Sequence, residues 1–159
     1  MSIPRRLRQR AACRVAGFQQ GETNPDRFNE YVAGGFYQCA PTTTPGRARL
    51  FTEDDAVALY YFSWLLNDCD WSPRGAGQEA CLIRSGLEHF PESKNLTVII
   101  SHLGRPHIAP DGAPHAADPH GHIISGSSIK ATRTYNVGHA RALIAHGFDE
   151  EFSQAGEED

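Results

Sequence analysis

The stretch TPGRARLFTEDDAVALYYFSWLL, residues 44–66, decides the fold of this chain. A Pro-Gly turn carries two spaced arginines, Arg47 and Arg49, and runs directly into TEDD (52–55), which resembles a capping box with Asp in place of Glu. The helix that follows, to about Asn67, is apolar on both sides, and such a helix is buried all round. The stretch therefore predicts a central core helix with a basic turn at its start.

Two short helices are predicted before this stretch, and a predicted hairpin overlaps its start. Residues 7–17 (LRQRAACRVAG) predict a helix that stops at Gly17, because glycine commonly ends helices. Asn24-Pro25 predicts a capped helix from residue 25 to about 33. FYQC (36–39) and ARLF (48–51) then predict two short strands on either side of a Thr- and Pro-Gly-rich tip, which together form a hairpin.

The rest of the chain predicts a small α+β domain, residues 68–150, with a short antiparallel sheet. Ser72-Pro73 again signals a capped helix, to about residue 90. Three segments read as strands: 95–101 (NLTVIIS), 122–125 (HIIS) and 129–135 (IKATRTY). A last helix is expected over 137–146, ending at Gly147, and the acidic tail 151–159 is expected to fray.

Charge is distributed unevenly along the chain. Residues 1–50 hold eight arginines and three acidic residues, a net of +5, whereas the remainder holds seven Lys/Arg and sixteen acidic residues, a net of −9; the sum is −4. A basic first part on an acidic body is typical of a protein whose first part meets a polyanion. Chance clustering of surface charge is the alternative.

The order helix, turn, short helix, basic hairpin and buried helix is suited to binding DNA. A short helix presents its polar face to the major groove while the preceding helix packs behind it. The candidate base or phosphate contacts are Arg27 and Asn29, and the candidate phosphate contacts are Arg47 and Arg49. We expect a flexible electrostatic arm to add four further arginines: Arg5, Arg6, Arg8 and Arg10.

Two segments of the chain resemble a known family. NPDRFNEYVAGGFY is similar to the recognition-helix segment of MerR-type winged helix-turn-helix regulators, typically SPRTLRYYEEIGLL, and RARLFTEDDAVAL is similar to that family's RLYTEEDLARL. ACRVAGF resembles the end of the family's first helix, as in ARLTGV. The resemblance covers about residues 10–66, and ten residues match or nearly match: Pro25, Tyr31, Gly35, Phe36, Leu50, Phe51, Thr52, Glu53, Asp54 and Leu59.

The resemblance implies that residues 1–67 form a winged helix-turn-helix with an exit helix. It implies a dimeric, sequence-specific transcription regulator that binds double-stranded DNA, with the homodimer formed through the helix 53–67 and the helix after it. The chain departs from the family in a turn about five residues longer (QQGET) and in a helix broken early at Ser72-Pro73. A DNA-packaging protein similar to phage terminase small subunits, or another phage-derived DNA-binding protein, is the main alternative.

A histidine-rich segment, residues 102–122, offers a third hypothesis. It contains five histidines, and imidazole is a common ligand of zinc and other transition metals. The candidate zinc ligands are His102, His120 and His122. The alternative is a metal-free loop, so we expect no obligatory cofactor.

Other function classes find less support in the sequence. No GxSxG, HExxH or phosphate-binding loop occurs, and we therefore expect a binding protein rather than an enzyme. No run of eighteen apolar residues predicts a membrane span, and no apolar segment of the kind found in secretion signals follows the basic N-terminal residues. We expect a cytoplasmic protein whose four widely spaced cysteines are reduced core residues.

Overall fold

The computed structural model describes residues 3–19, 24–102, 105–112, 122–124 and 127–157. These residues form five helices and two antiparallel sheets, a mixed α+β architecture. The helices are α1 (Gln9–Ala16), α2 (Pro25–Ala33), α3 (Glu53–Asn67), α4 (Pro73–His89) and α5 (Val137–Glu157). The strands are β1 (Leu7–Arg8), β2 (Leu50–Phe51), β3 (Leu96–Ser101), β4 (His107–Ala109), β5 (His122–Ile124) and β6 (Ser127–Tyr135).

The predicted helix starts are confirmed by their caps. The Asn24 side chain accepts hydrogen bonds from the backbone N–H groups of residues 26 and 27. Thr52 and Asp55 form the reciprocal capping box at the start of α3. The Ser72 hydroxyl accepts from the backbone N–H of residue 75 at the start of α4. Each cap satisfies an amide that the helix itself leaves without a partner.

Helix α3 lies at the centre of the molecule and packs against α1, α4 and α5. Ten of its residues are buried, as expected for a helix that is apolar all round. The hydrophobic core around it extends from Leu7 to Phe148. One core therefore contains residues of both predicted segments, 1–67 and 68–150.

An aromatic cluster joins the first two helices to α3. Phe18, two residues after α1, stacks on Phe62 of α3 with ring centroids 5.7 Å apart. Phe28 of α2 contacts Tyr37 and Phe51 edge-on or tilted, at centroid separations of 5.1 Å and 5.7 Å. Such offset and edge-to-face contacts are the favourable arrangements for aromatic rings. The cluster fixes α2 relative to the core.

The larger sheet has the strand order β4-β3-β6-β5, with every pair antiparallel. The predicted central strand is confirmed as β3, whose Leu96 and Val98 are fully buried. Leu96 packs beside Ile108 of β4 against Gly86 of α4. Strand β4 was not predicted, because three residues in a Pro- and Gly-rich segment are too few for a detectable alternation.

The predicted hairpin between FYQC and ARLF is wrong. Residues 36–49 contain no strand, and β2 pairs instead with β1, in the register Leu7↔Phe51 and Arg8↔Leu50. The segment FYQC packs against the core and α4 and does not pair with another strand. Tyr37 is buried in the aromatic cluster, and Cys39 is bonded to Cys81 of α4. The expectation of a flexible N-terminal arm is also wrong, because residues 7–16 form β1 and α1.

The last helix does not stop at Gly147 but continues to residue 157. Gly147 serves close packing, because a Cβ at that position would lie 2.5 Å from Cγ1 of Val15. The next residue, Phe148, is fully buried and anchors the continuation. Residues 151–157 of the tail expected to fray are therefore helical.

The expectation that all cysteines are reduced is contradicted by a disulfide between Cys39 and Cys81, whose Cα atoms are 5.5 Å apart. The two positions are 42 apart in the sequence, so spacing offered no signal for the pairing. Cys13 is a free, buried core thiol, and burial raises its pKa to about 12. None of the helices described here is both long and apolar enough to cross a membrane.

Candidate nucleic-acid interface

The two-stranded ladder of β1 and β2 has one face in the core and one face in solvent. Leu7 and Phe51 are opposite each other in the register and are both buried. Arg8 and Leu50 form the outward pair, and Leu50 remains 41% exposed. Arg6, directly before β1, is exposed like Arg8. The ladder thus presents arginines beside an exposed leucine.

The loop from residue 41 to 49 is held by its own hydrogen bonds. The Thr43 hydroxyl donates to the backbone carbonyl of Arg47 at 2.8 Å, and the Arg47 N–H donates to the carbonyl of Thr44 at 3.1 Å. Arg49 donates through Nη1 to the carbonyl of Pro41 at 2.6 Å. Arg49 therefore closes the loop, whereas the Arg47 side chain is exposed.

A polar cavity of about 510 Å³ lies between this loop and the ladder. Arg6 and Arg47 line it together with the hydroxyl-bearing run 42–44. Guanidinium and hydroxyl donors that converge on an open cavity are suited to binding an anion. Sequence analysis missed the threonine run, although TTT next to PGR is visible in the sequence.

The α4 side of the cavity is formed by a charged cluster that sequence analysis also missed. Arg84 donates from Nε to Asp55 at 2.8 Å. Its Nη1 is buried, forms no hydrogen bond with a described residue, and lies 3.7 Å from the carboxylate of Glu88. The cluster combines one guanidinium with two carboxylates, a net charge of −1, so the positive charge of the cavity comes from Arg6 and Arg47.

Arg5, predicted to belong to a flexible arm, instead holds the N-terminal segment against α3 and α5. It forms ion pairs with Asp149 of α5 and, at 3.3 Å, with Glu53 of α3. Its guanidinium also lies 5.8 Å from the centre of the Phe148 ring. These contacts fasten the N-terminal segment to the C-terminal helix.

Four other arginines differ from Arg5 in having exposed side chains whose guanidinium groups form no hydrogen bond or ion pair with any described residue. They are Arg6, Arg8, Arg10 and Arg47. We call this group the basic surface. Since charged donors without internal partners are open to external ones, the basic surface is the part of the predicted site available to a polyanion.

Helix α2 carries Arg27 and Asn29, the residues predicted to contact DNA bases or phosphates, close to acidic side chains of the same helix. Arg27 lies 3.9 Å from the carboxylate of Glu30 and 5.7 Å from the Tyr31 ring centre. The Asn29 side chain accepts a hydrogen bond from Nε2 of Gln9 at 3.0 Å, which links α2 to α1. Asp26 and Glu30 are both exposed, so this face of α2 is not basic.

The histidine segment provides no metal centre within the described residues. No group of three or more His, Cys, Asp or Glu side chains there is placed to hold a metal ion. His102 is exposed just after β3, and the backbone of His122 pairs with Ser128 in β6, while His120 lies outside the described residues. Asp111 has a structural role, because its carboxylate accepts the N–H groups of Lys94 at 2.7 Å and Asn95 at 3.2 Å.

Comparison with known proteins finds no protein family whose model matches this chain and no characterised protein that is significantly similar to it.

Proposed function

We propose that the chain is a DNA-binding transcription regulator whose residues 1–67 act as a helix-turn-helix of MerR-like type, with the β1–β2 ladder and the loop 41–49 in the place of the predicted wing hairpin. The observation that carries the proposal is the basic surface, in which the side chains of Arg6, Arg8, Arg10 and Arg47 are exposed and form no hydrogen bond or ion pair with any described residue. A polyanion is the ligand that such a surface fits best, and in the rest of the chain acidic residues outnumber basic ones. The protein would act by binding and not as an enzyme.

The basic surface would bind the DNA phosphates, and one phosphate would occupy the polar cavity. Arg6 and Arg47 both line this cavity, and the hydroxyls of Thr42 and Thr44 supply neutral donors. Contacts of this kind fix the position of the protein on the duplex without reading sequence.

Helix α2 would recognise the base sequence of the DNA. Asn29 is suited to hydrogen-bond an adenine edge, since asparagine presents one donor and one acceptor in the required geometry. Because Asp26 and Glu30 repel the backbone phosphates, α2 adds little general affinity, and the arginines must supply it. Arg27 and Arg49 then act mainly as positioning residues through their contacts with Tyr31 and Pro41.

A dimer would let the protein recognise two half-sites. The apolar residues Ala76, Ala80, Ile83 and Leu87 of α4 are buried within the same chain, so a dimer through α3 and α4, as expected from the sequence, would use the exposed face of α4.

The proposal is tested by measuring duplex DNA affinity with a charge-matched control. Arg8→Gln/Arg47→Gln removes two charges from the basic surface, and Arg74→Gln/Arg105→Gln removes two exposed arginine charges outside it. We expect the first variant to reduce the slope of log affinity against log salt by about two, and the control to leave it unchanged. Equal losses in both variants would show that only net charge matters, and this would refute the assignment of the site. A large ring that binds without sequence preference would instead fit the packaging alternative.

A further inference from the structure

The disulfide between Cys39 and Cys81 lies between two surface cavities. Cys39 lines the polar cavity of about 510 Å³, and Cys81 lines a second cavity of about 420 Å³, which is bounded by Phe36, Arg74 and Leu82. Both cysteines are partly exposed. A small molecule can therefore approach the bond from either cavity, and the groups that line each cavity decide which cysteine it meets.

The polar cavity attracts anions more strongly than the second cavity does. Its lining holds three guanidinium groups and two carboxylates, a net charge of +1: Arg6, Arg47, Arg84, Asp55 and Glu88. The walls of the second cavity are mostly apolar, and its one cation, Arg74, lies 5.3 Å from the centre of the Phe36 ring. The polar cavity also has the volume of an ordinary small-molecule site, which is about 300–1,000 Å³. A small anion is therefore drawn to the side of Cys39.

The hydrogen bonding of the disulfide favours attack at the same cysteine. The backbone N–H of Cys39 donates to Sγ of Cys81 at 3.2 Å. In thiol–disulfide exchange the attacked sulfur keeps the new bond, and the other sulfur leaves as a thiolate. A hydrogen bond to the leaving sulfur stabilises its negative charge. Attack at Cys39 therefore releases the sulfur atom that already accepts a hydrogen bond.

We propose that Cys39 is a site of reversible S-thiolation by a small thiol that carries carboxylate groups. The thiolate of this molecule attacks Sγ of Cys39, so an S–S bond forms between them and the bond from Cys39 to Cys81 breaks. The electron pair of the broken bond leaves on Sγ of Cys81, which takes up the proton that the small thiol gave up. The exchange needs no other oxidant or reductant. Arg6 and Arg47 would bind the carboxylates of the adduct.

The other two cysteines lack these features. Cys13 is buried, and burial raises its pKa to about 12, so its thiol stays protonated at neutral pH. Cys69 lies between Asp68 and Asp70 in the sequence, and desolvation and the Asp68 charge raise its pKa. Carboxylates beside a thiol also repel an anionic reagent. Reaction with such a reagent should therefore favour Cys39.

The test is the reaction of the full, disulfide-bonded chain with reduced glutathione, a tripeptide thiol with two carboxylates. N-ethylmaleimide stops the reaction, and peptide mass mapping without a reducing step then locates both labels. We expect glutathione on Cys39 and N-ethylmaleimide on Cys81. Glutathione on Cys81 with the maleimide on Cys39 overturns the proposal. So does an intact disulfide with glutathione confined to Cys69.

Charge variants test which cavity the thiol enters. Arg6→Gln/Arg47→Gln should slow the reaction with glutathione by about tenfold, because the cations that attract its carboxylates are lost. The same variant should react with 2-mercaptoethanol, a neutral thiol, at the native rate. Arg74→Gln, in the second cavity, is the matched control and should leave the glutathione rate unchanged. An unchanged glutathione rate in the first variant, an equal loss with both thiols, or a loss in Arg74→Gln overturns the proposal.

The adduct would also oppose DNA binding. It would occupy the cavity assigned to a phosphate and add negative charge beside Arg6 and Arg47. This effect rests on the proposed function, whereas the modification itself does not. Purified adduct should bind duplex DNA at least about tenfold more weakly than the native chain at low salt. Equal affinities would contradict the position of the adduct in the cavity. An adduct on Cys39 in a chain that binds no DNA would refute the proposed function and leave the modification site in place.

Discussion

Glu79 is only 3% exposed, the lowest value for an acidic side chain in the described part of the chain. It binds Arg133 through two hydrogen bonds, of 2.6 Å and 2.9 Å, and also accepts one from the Tyr135 hydroxyl. Arg133 additionally lies 5.1 Å from the centre of the Trp71 ring. These contacts join α4 to β6 and close the sheet onto the helices.

The two partners of this ion pair should respond unequally to substitution. Arg133→Met leaves a buried carboxylate without its cation and should cost about 3 kcal/mol in the free energy of unfolding. Glu79→Gln should cost about 1 kcal/mol, because the 35%-exposed Arg133 reaches water and the amide oxygen still accepts from Tyr135. Urea unfolding measures both losses. A larger loss for Glu79→Gln would contradict this assignment of charge burial.

Two acidic residues should shape the stability of the protein at low pH. A hydrogen bond from Arg14 lowers the pKa of Glu151, and the Lys94 N–H lowers the pKa of Asp111. Because both groups have lower pKa values in the folded chain, their stabilisation is complete above the unfolded values of about 4 and is lost as pH falls through the folded values. Unfolding free energy should therefore decrease below about pH 4. In Asp111→Asn/Glu151→Gln this decrease should be smaller; an unchanged acid profile would exclude these two residues as its cause.

Among the described glycines, Gly77 of α4 leaves the least room for a side chain. A Cβ at Gly77 would lie 1.8 Å from the backbone oxygen of Phe36, so no side chain fits there. Gly77→Ala should lower the unfolding free energy by at least about 3 kcal/mol, although alanine favours helix by about 1 kcal/mol over glycine. Gly75→Ala, on the same helix with Ser72 Oγ 3.3 Å away, is the control and should be near neutral. Calorimetry distinguishes them, and equal melting temperatures would contradict the close contact.

The disulfide fixes the loop 36–49 to α4. Because it closes a loop between positions 42 residues apart, Cys39→Ser/Cys81→Ser should lower the unfolding free energy by about 3–4 kcal/mol. Reductant should reproduce the loss in the native sequence and have no effect in the double variant. Cys69→Ser controls for thiol replacement. Equal stability with and without reductant would mean that the bond does not form.

Local signals predicted helix starts better than helix ends or strand partners. The caps at Asn24, Thr52 and Ser72 involve residues two or three positions apart, and sequence shows such relations directly. A glycine such as Gly147 commonly marks the end of a helix, but here its role is close packing against Val15, which is distant in the sequence. The partner of β2 likewise depends on β1, more than forty residues earlier. Long-range packing decided what the local pattern left open.

In the molecule as a whole, the basic first part and the acidic remainder are neighbours. Arg5 and Arg14 pair with Asp149 and Glu151 of α5, so part of the predicted positive surface is neutralised within the chain. The sequence predicted the charge asymmetry, but which arginines have partners depended on the packing. Arg5 and Arg14 pair with α5, whereas Arg27 and Arg49 contact Glu30 and Pro41. The four arginines of the basic surface are what remains of the eight in residues 1–50.

The most direct test of DNA binding is the affinity of the native protein for a duplex of random sequence between about 50 and 200 mM salt. If the basic surface holds the phosphates, log affinity should fall linearly with log salt with a slope of about −3 to −4 per chain, close to a hundredfold loss across this range. Absence of binding even at the lowest salt concentration would contradict the proposed function. A salt-independent affinity would contradict the phosphate-binding role of Arg6, Arg8, Arg10 and Arg47.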